Sequence, residues 1–415
     1  MQTIHSDAQT MIKTIIEDNL PRSAVENALR EHEFAGRLYL TAIGKAAWTM
    51  AQAASDFLGD KLVGGIVLTK YEHSMGALPN IEIFEAGHPV SDENSILATR
   101  KCVELAESLG EGDELLFLVS GGGSALFEAP LEGIDLGDIQ DITGQLLASG
   151  ADIVEMNMIR KRLSSVKAGR FAQLAYPAKI FAIVLSDVLG DRLDSIASGP
   201  AAPDSSTVED ALKVAEKYKL KLSRLQRDYL TQETPNEVSN VKTLITGSVS
   251  TLCKSAANSA EALGYKPFVL STTVNCEASE AGRMLASIAA DIRLGRSCFT
   301  APCAVILGGE TVVTIKGKGK GGRNQELALA SAKGIAGLED TLVFSLGSDG
   351  TDGPTDAAGG IVDGKTSAAF KERGLDIDKI LGDNDSYHGL KALDALIVTG
   401  PTGTNVNDVS ILLCK

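Results

Sequence analysis

The chain has 415 residues, more than the roughly 100 to 200 of a typical single domain, so its length predicts two or three domains. Hydrophobic residues make up 44% of the chain, yet no apolar run reaches the ~20 residues that cross a bilayer. The net charge of -15 argues against nucleic acid or an anionic membrane as a partner, because both require a broad basic face.

The amino-terminal segment lacks the apolar core and cleavage site of a signal peptide, which predicts a cytoplasmic protein. Six cysteines and five histidines are scattered without the spacing of a zinc site or a redox pair. We therefore expect reduced thiols and small-molecule ligands.

Strand and helix patterns alternate through the first half of the chain. The predicted strands, in chain order, are RLYLTAI, GGIVLTK, NIEIFEA, DELLFLVS and KIFAIVLSDV. Helical patterns separate most of them, which predicts an α/β fold with a mostly parallel, Rossmann-like sheet.

A polar stretch with Pro235, RLQRDYLTQETPNEVSN (224–240), is the best candidate for a linker and divides the chain into domains 1–238 and 239–415. The strands predicted beyond it are KTLITGS, YKPFVLS, AVILGGE, TVVTIK, TLVFSLGSD and ALIVTG. The two adjacent runs around GGE predict a hairpin, so we expect a mixed second sheet.

Ligands of open parallel sheets bind beyond the carboxyl ends of the strands. There, AIGKAA places Gly44 and Lys45 between a strand and a helix, where a lysine opposes the helix dipole unless an anion lies between them. SGGGSA (120–125) lets the backbone approach a ligand closely, with Ser120 and Ser124 as hydroxyl donors. A solvated lysine and a loose turn are the structural alternatives.

A basic, glycine-rich segment, TIKGKGKGGRNQELALA (314–330), lies between strand and helix patterns. Backbone N–H groups, a helix N-terminus, the lysines and Arg323 together predict an anion site, with a solvated turn as the alternative. The segment matches G-x-G-x-x-G, but the match is weak, because the acidic residues Glu339 and Asp340 precede the next strand instead of following it and lysines interrupt the glycines. No P-loop motif is present.

Two acidic segments also follow predicted strands. SDVLGDRLDSIASGPAAPDSST (186–207) carries Asp187, Asp191 and Asp194, which suit a general base, Mg²⁺ ligands or helix caps. GSDGTDGPTDAAGG (347–360) carries three further aspartates but lacks the spacing of a calcium loop.

Six long motifs, in order, resemble the signatures of class II glycerate kinases, the glycerate 2-kinases with a MOFRL carboxyl-terminal domain. They are SGGGSALFEAP, EMNMIRKRLSSVKAGRFA, SDVLGDRLDSIASGPAAPDSST, GGETVVTIKGKGKGGRNQELALA, SDGTDGPTDAAG and TGPTGTNVNDV. The resemblance covers nearly the whole chain from AIGKAA onward. Ser348 and Ala201 replace threonines common in the family, and neither change affects the assignment.

This resemblance implies ATP-dependent phosphorylation of D-glycerate at the 2-hydroxyl, which gives 2-phosphoglycerate and ADP with Mg²⁺ as cofactor. It also implies a cleft between the Rossmann-like domain and a MOFRL-type α/β domain. Some relatives carry the label hydroxypyruvate reductase, so a nicotinamide-dependent reductase is the alternative. The residues favour the kinase, because phosphoryl transfer needs cations and carboxylates and the dinucleotide fingerprint is weak.

The resemblance also assigns roles to residues. Lys45 and Arg323 match the family's basic positions, and Asp187 is the candidate base or hydroxyl-positioning group. The predicted substrate contacts are Gly44, Ser120, Gly122, Gly123 and Ser124. The predicted nucleotide contacts are Gly319, Gly322, Asn324 and Asp349, and the predicted metal ligands are Glu310, Asp349 and Asp356. We find no chemical role for His88 and predict that it is structural.

Overall fold

The computed structural model describes residues 3–186 and 192–415. The chain divides into two compact units, Ala24–Thr246 and a second unit that combines the segment through Ser23 with Gly247–Lys415. No described helix is both long and apolar enough to cross a membrane.

The described α-helices are α1 (Ile4–Asp18), α2 (Pro21–Arg30), α3 (Ala47–Leu58), α4 (Glu93–Glu107), α5 (Gly123–Leu126), α6 (Leu136–Ala148), α7 (Ile153–Leu163), α8 (Arg170–Leu174), α9 (Val208–Lys217), α10 (Arg224–Leu230), α11 (Val249–Ala262), α12 (Ala278–Arg293), α13 (Arg323–Ser331), α14 (Thr366–Glu372), α15 (Ile377–Gly382) and α16 (Ser386–Lys391). The described strands are β1 (Arg37–Ile43), β2 (Leu62–Lys70), β3 (Ile81–Ala86), β4 (Asp113–Val119), β5 (Lys179–Leu185), β6 (Val241–Gly247), β7 (Lys266–Val274), β8 (Cys303–Gly309), β9 (Thr341–Gly347), β10 (Gly359–Asp363), β11 (Leu396–Ile397) and β12 (Asp408–Cys414).

The sheet of Ala24–Thr246 has the order β3-β2-β1-β4-β5-β6, and strands β1 to β5 pair in parallel. Both faces are covered, because Phe117 and Val119 of β4 pack into one apolar cluster while Leu116 and Leu118 pack into another. Burial on both faces explains the continuous apolar run in the sequence. The predicted Rossmann-like sheet is confirmed, and its direction of winding reverses between β1 and β4.

The second sheet has the order β11-β10-β9-β12-β8-β7 and is mixed, as predicted. The predicted hairpin after β8 is wrong, since 311–316 forms no strand and only Val312 makes an isolated bridge. Both edges of β8 are already occupied, by parallel β7 and by antiparallel β12. The mixed character therefore comes from β12 and β10, which run antiparallel to β9.

The compact units differ from the predicted division at 238/239 in two places. The segment KTLITGS forms β6, which lies next to β5 at the edge of the first sheet instead of opening the second. Helix α1 packs with the carboxyl-terminal unit, because its buried stripe, which includes Met11, faces α11. The hydroxyl of Tyr265 also donates to the buried carboxylate of Asp7 at 2.7 Å.

The packing of α1 predicts a clear stability effect. Met11 is fully buried, so Met11→Ala should lower the free energy of unfolding by about 2 to 4 kcal/mol and weaken amide protection in α11. Lys13→Ala, on the exposed face of the same helix, should change it by less than about 0.5 kcal/mol. Denaturant unfolding and hydrogen exchange measure both effects, and equal stabilities for the two variants would contradict this packing.

Candidate functional site

The loops after β1 and β4 meet where the winding of the first sheet reverses. The N–H of Ser120 donates to the carbonyl of Ile43 at 3.0 Å, and the N–H of Lys45 donates to the carbonyl of Gly121 at 2.8 Å. A Cβ on Gly44 would lie 2.3 Å from the Ser120 hydroxyl oxygen, so only glycine fits there. Backbone hydrogen bonds thus connect two of the predicted ligand-binding segments, AIGKAA and SGGGSA.

The hydroxyl protons of both predicted serine donors are used within the protein. The Ser120 hydroxyl donates to the Ile43 carbonyl at 3.2 Å and accepts from the N–H of Ala46 at 3.1 Å. The Ser198 hydroxyl donates to Oδ1 of Asn157 at 3.0 Å, so its 2.6 Å bond with Ser124 uses the Ser124 proton. Ser124 therefore offers a ligand only acceptor capacity.

The remaining donors of the glycine loop, residues 120–123, are backbone amides. Among residues 3–186 and 192–415, the N–H groups of Gly121 and Gly122 have no hydrogen-bond acceptor. The ammonium group of Lys45, which is half-buried beside them, likewise has no ion-pair partner in the described residues. Amides and ammonium together can bind an anionic group of a ligand.

His88 lies directly against this loop, although the sequence predicted only a structural role for it. Gly122 has φ +85°, and a Cβ there would be 3.0 Å from Cδ2 and Nε2 of His88 and 3.2 Å from Cγ of Lys45. Burial lowers the pKa of His88, and the nearby charges of Lys45 and Lys70 lower it further. No spacing in the sequence links residue 88 to residue 122, so only the fold reveals this contact.

Two cations, the buried Lys167 and the partly buried Arg160, bind the backbone just after the glycine loop. The Ser124 carbonyl accepts hydrogen bonds from Nζ of Lys167 at 2.9 Å and from Nη2 of Arg160 at 3.0 Å. Lys167 also pairs with Glu128 at 3.2 Å, and burial lowers the pKa of the lysine to about 8. The sequence signalled these residues only as part of a family motif.

The predicted aspartates after β5 have different outcomes. Asp187 and Asp191 lie outside the described residues. Burial alone would raise the pKa of Asp194, but Ser205, Lys161 and Arg192 outweigh it and lower the pKa to about 2. Asp194 therefore belongs to an ion-pair network in which it is permanently ionised.

A left-handed turn follows these aspartates and supports the glycine loop. Ala197 and Ser198 have φ +51° and +61°, a costly conformation for residues with a side chain. A Cβ on Gly123 would lie 2.7 Å from the Ala197 Cβ, so this turn packs directly under the loop. The packing explains why Gly123 is a glycine.

A second cluster surrounds Arg323 in the carboxyl-terminal unit. Asp408 begins β12 and lies opposite Gly309 and Gly347, because β12 runs antiparallel to β8 and β9. Arg323 donates to both carboxylate oxygens of Asp408 and lies 3.2 Å from Glu310. From the sequence, Asp408 was recognisable only as part of a family motif, and no role was predicted for it.

The charges of this cluster are balanced within the protein. Burial lowers the pKa of Arg323, but the hydrogen bonds and charge of Asp408 outweigh burial and raise it above its ordinary value. Burial also raises the pKa of Asp408 to about 6. At neutral pH both groups are ionised, and the guanidinium is held rigidly by two carboxylates.

The N-terminus of α13, the predicted anion site, is already occupied by a side chain. The carboxylate of Asp352 accepts from the N–H groups of Asn324 at 3.1 Å and Gln325 at 2.9 Å. A Cβ on Gly322 would lie 2.2 Å from the Asp352 carboxyl carbon. The close approach of Asp352 therefore accounts for this glycine without a ligand.

An acidic turn, residues 383–385, likewise accepts hydrogen bonds from the backbone amides of the basic segment. Asn384 Oδ1 accepts from the amides of Lys316 and Gly317, and Asp383 and Asp385 accept from those of residues 318 to 320. A Cβ on Gly319 would lie 2.4 Å from the Cβ of Asp385. The predicted nucleotide contacts of Gly319 and Gly322 remain predictions. The Gly319 amide already donates to Asp383, whereas the Gly322 amide has no acceptor among the described residues.

The predicted metal ligands do not form one group. Among the described residues, no three His, Cys, Asp or Glu side chains are arranged to hold a metal ion. Asp356 accepts from the Tyr387 hydroxyl at 2.7 Å, whereas Asp349 and Asp408 both lie within 3.4 Å of a Cβ position on Gly347. This arrangement fits a Mg²⁺ that arrives with nucleotide phosphates and needs one or two carboxylates.

Alanine substitutions at Gly122 and Gly144 should have opposite effects on folding stability. Gly122→Ala should lower the free energy of unfolding by at least about 1 kcal/mol, because φ is positive and His88 and Lys45 leave no space. Gly144→Ala, inside α6 with nothing within 4 Å, should raise it by about 0.5 to 1 kcal/mol. Denaturant unfolding measures both, and a stabilising Gly122→Ala would contradict the loop geometry.

The cap of α13 also makes a testable prediction. Asp352→Ala should cost about 2 to 4 kcal/mol of folding stability, because it leaves buried N–H donors without an acceptor. Asp352→Asn retains one acceptor oxygen and should lose less. Thermal and denaturant unfolding would refute the cap if the alanine variant matched the unsubstituted protein.

The chain is similar to known proteins over nearly its whole length. Residues 7–231 match the family described as Domain of unknown function (DUF4147), and residues 303–408 match the MOFRL family. The D-glycerate 2-kinase of Thermotoga maritima is 53% identical over 97% of this chain and 96% of its own length. The glycerate 2-kinase of Pyrococcus horikoshii is 42% identical over 92% of this chain and 89% of its own.

An Agrobacterium vitis relative, provisionally named as a hydroxypyruvate reductase, is 38% identical over 91% of this chain and 99% of its own length. A crystal structure of glycerate kinase from Thermotoga maritima matches with a TM-score of 0.95 and 52% identity, covering 99% of both chains. The chain therefore belongs to the MOFRL-domain glycerate kinase family.

Proposed function

We propose that the protein transfers the γ-phosphoryl group of ATP to D-glycerate, at the 2-hydroxyl, giving 2-phosphoglycerate and ADP. The observation that carries this proposal is the ammonium of Lys45 beside the amides of Gly121 and Gly122, where the first sheet reverses its winding; none of the three has a partner among the described residues. These are fixed positive groups of the kind that phosphoryl transfer requires. The names of the relatives supply the substrate.

The glycine loop is the proposed binding place of an anionic group of the substrate. Its two free amides and Lys45 would bind the glycerate carboxylate or the transferring phosphoryl group, and Ser124 would accept a hydrogen bond from a substrate hydroxyl. Asp187, outside the described residues, is the proposed group that orients the attacking hydroxyl. Substrate contacts by Gly44, Ser120 and Gly123 would be made through backbone atoms.

The Arg323 cluster is the proposed place of the nucleotide phosphates. Because Asp408 and Glu310 balance its charge, Arg323 would act as a rigid hydrogen-bond donor instead of a mobile cation. Asp349 and Glu310 are the proposed ligands of Mg²⁺ on ATP, and the ion would neutralise phosphate charge there. Asn324 would contribute through its side chain, since Asp352 already uses its backbone N–H.

A nicotinamide-dependent reductase is the alternative function, and the hydrogen bonds of the G-x-G-x-x-G segment weigh against it. A dinucleotide fold places its pyrophosphate on the helix N-terminus after the glycines. Here Asp352 accepts from the amides of Asn324 and Gln325, and the acidic turn accepts from those of 316–320. The amides of 321–323 have no acceptor among the described residues, but a pyrophosphate bound to them would lie directly against the carboxylate of Asp352.

The proposed reaction can be tested directly by ³¹P NMR of the full-length protein with D-glycerate, ATP and Mg²⁺. We expect a phosphomonoester signal at the 2-phosphoglycerate position that grows as ADP appears, and no such signal without glycerate. A signal at the 3-phosphoglycerate position would correct the regiochemistry. Intact ATP, together with NADH oxidation by hydroxypyruvate, would replace the kinase by the reductase.

Substitution of either cation should remove most of the activity. Lys45→Ala and Arg323→Ala should each lower kcat by about 10² to 10³, because each removes a charged contact in the transition state. Lys61→Ala is the matched control, because Lys61 is exposed and immediately precedes β2. It therefore lies at the amino-terminal ends of the strands, whereas Lys45 lies at their carboxyl ends. Near-normal kcat in a folded Lys45→Ala or Arg323→Ala variant would refute the assignment of that residue.

A further inference from the structure

His88 differs from the other histidines of the chain in having no partner among the described residues. The other four have a hydrogen bond or a stacked ring: His5 with Asp363, His32 with Phe181, His73 with the Lys45 carbonyl, and His388 with Asp385. Within residues 3–186 and 192–415, neither ring nitrogen of His88 has a hydrogen-bond partner. The half-buried imidazole is therefore desolvated without compensation from the described protein.

The position of this ring is defined by the glycine loop. Nε2 and Cδ2 lie over the Cα of Gly122, and a side chain at residue 122 would displace the ring. The Nε2 edge thus lies beside a free amide and beside the side chain of Lys45. These are the groups that bind the substrate anion in the proposed function.

We propose that His88 is a catalytic residue whose Nε2 accepts the proton of the attacking glycerate hydroxyl. This inference rests on the proposed kinase function and adds to it, because it names the group that takes the proton of the substrate hydroxyl. As the hydroxyl oxygen bonds to the γ-phosphorus, its proton moves to Nε2. The bond between that phosphorus and the β-γ bridging oxygen breaks, and ADP leaves with the electron pair. The imidazolium afterwards returns the proton to water.

The surroundings of His88 keep the ring in the neutral form that this step needs. Burial is the largest cause of its lowered pKa, and Lys45, Lys70 and His73 each lower it further by their positive charge. The neighbouring carboxylate of Asp92 is engaged by the Tyr71 hydroxyl and the amide of Ser95 and does not offset these charges. A base that is neutral at the working pH can accept a proton at once.

The first test is the pH dependence of glycerate phosphorylation by the full-length protein. We expect kcat/KM to fall at acidic pH with an inflection below the ordinary histidine value of about 6.5. His88→Gln should lower kcat by about 10² with little change in the KM for ATP, and its profile should lose this inflection. His73→Gln, which alters the neighbouring histidine, should keep the inflection.

Each result of this test decides one question. If His88→Gln is folded by circular dichroism and keeps both kcat and the acidic inflection, His88 is not the proton acceptor. If the inflection vanishes in Asp187→Asn and persists in His88→Gln, the carboxylate takes the proton instead. If the unsubstituted protein does not phosphorylate glycerate at all, the proposed function itself fails.

A second measurement does not depend on the folding of a variant. In ¹H–¹³C NMR spectra of the unsubstituted protein, two of the five histidine imidazole signals, those of His32 and His88, should titrate below pH ~6.5 because burial lowers both pKa values, and one of the two should shift when D-glycerate is added. His73→Gln and the substitution of the other partnered histidines identify it as His88 by exclusion. A His88 signal that is unaffected by saturating D-glycerate would overturn the proposal.

Discussion

The contact between Gly44 and Ser120 is the constraint on which the rest of the first unit depends. Parallel pairing of β1 with β4 brings the ends of both strands to the same edge, and the absence of a Cβ on Gly44 lets the Ser120 hydroxyl lie against its backbone. The two loops then exchange hydrogen bonds and become one rigid surface. Lys45, Gly122 and His88 meet only because of that close approach.

The two glycine-rich segments of the chain show how hydrogen-bond satisfaction distinguishes a ligand loop from a structural one. In the loop after β4, the amides of Gly121 and Gly122 have no acceptor among the described residues. In the basic segment before α13, the acidic turn 383–385 and Asp352 accept from most of the amides. The amides of residues 321–323 have no acceptor among the described residues, but they lie next to the carboxylate of Asp352, whereas the free amides of the first loop lie next to an ammonium group.

The same contrast applies to the two cations. Lys45 is half-buried with no carboxylate partner in the described residues, whereas Arg323 is held by Asp408 and Glu310. In a protein with a charge of -15, the candidate site thereby has one positive group without a partner among the described residues and a second that is fixed in direction. An unpaired ammonium attracts an anion strongly, while a paired guanidinium mainly orients it.

The sequence by itself determined the α/β class, the buried parallel strands and the polar residues at strand ends, because these follow from local periodicity and from the chemistry of glycine and charged side chains. It did not predict β12, the central strand of the second sheet, or the membership of β6 and α1, since strand neighbours and helix docking depend on contacts distant in the chain. It also missed the partners of the candidate residues. The meeting of His88 with Gly122, of Arg323 with Asp408 and of Asp352 with α13 was decided by tertiary structure alone, because hydrogen bonds and close approaches between distant segments leave no periodic signal.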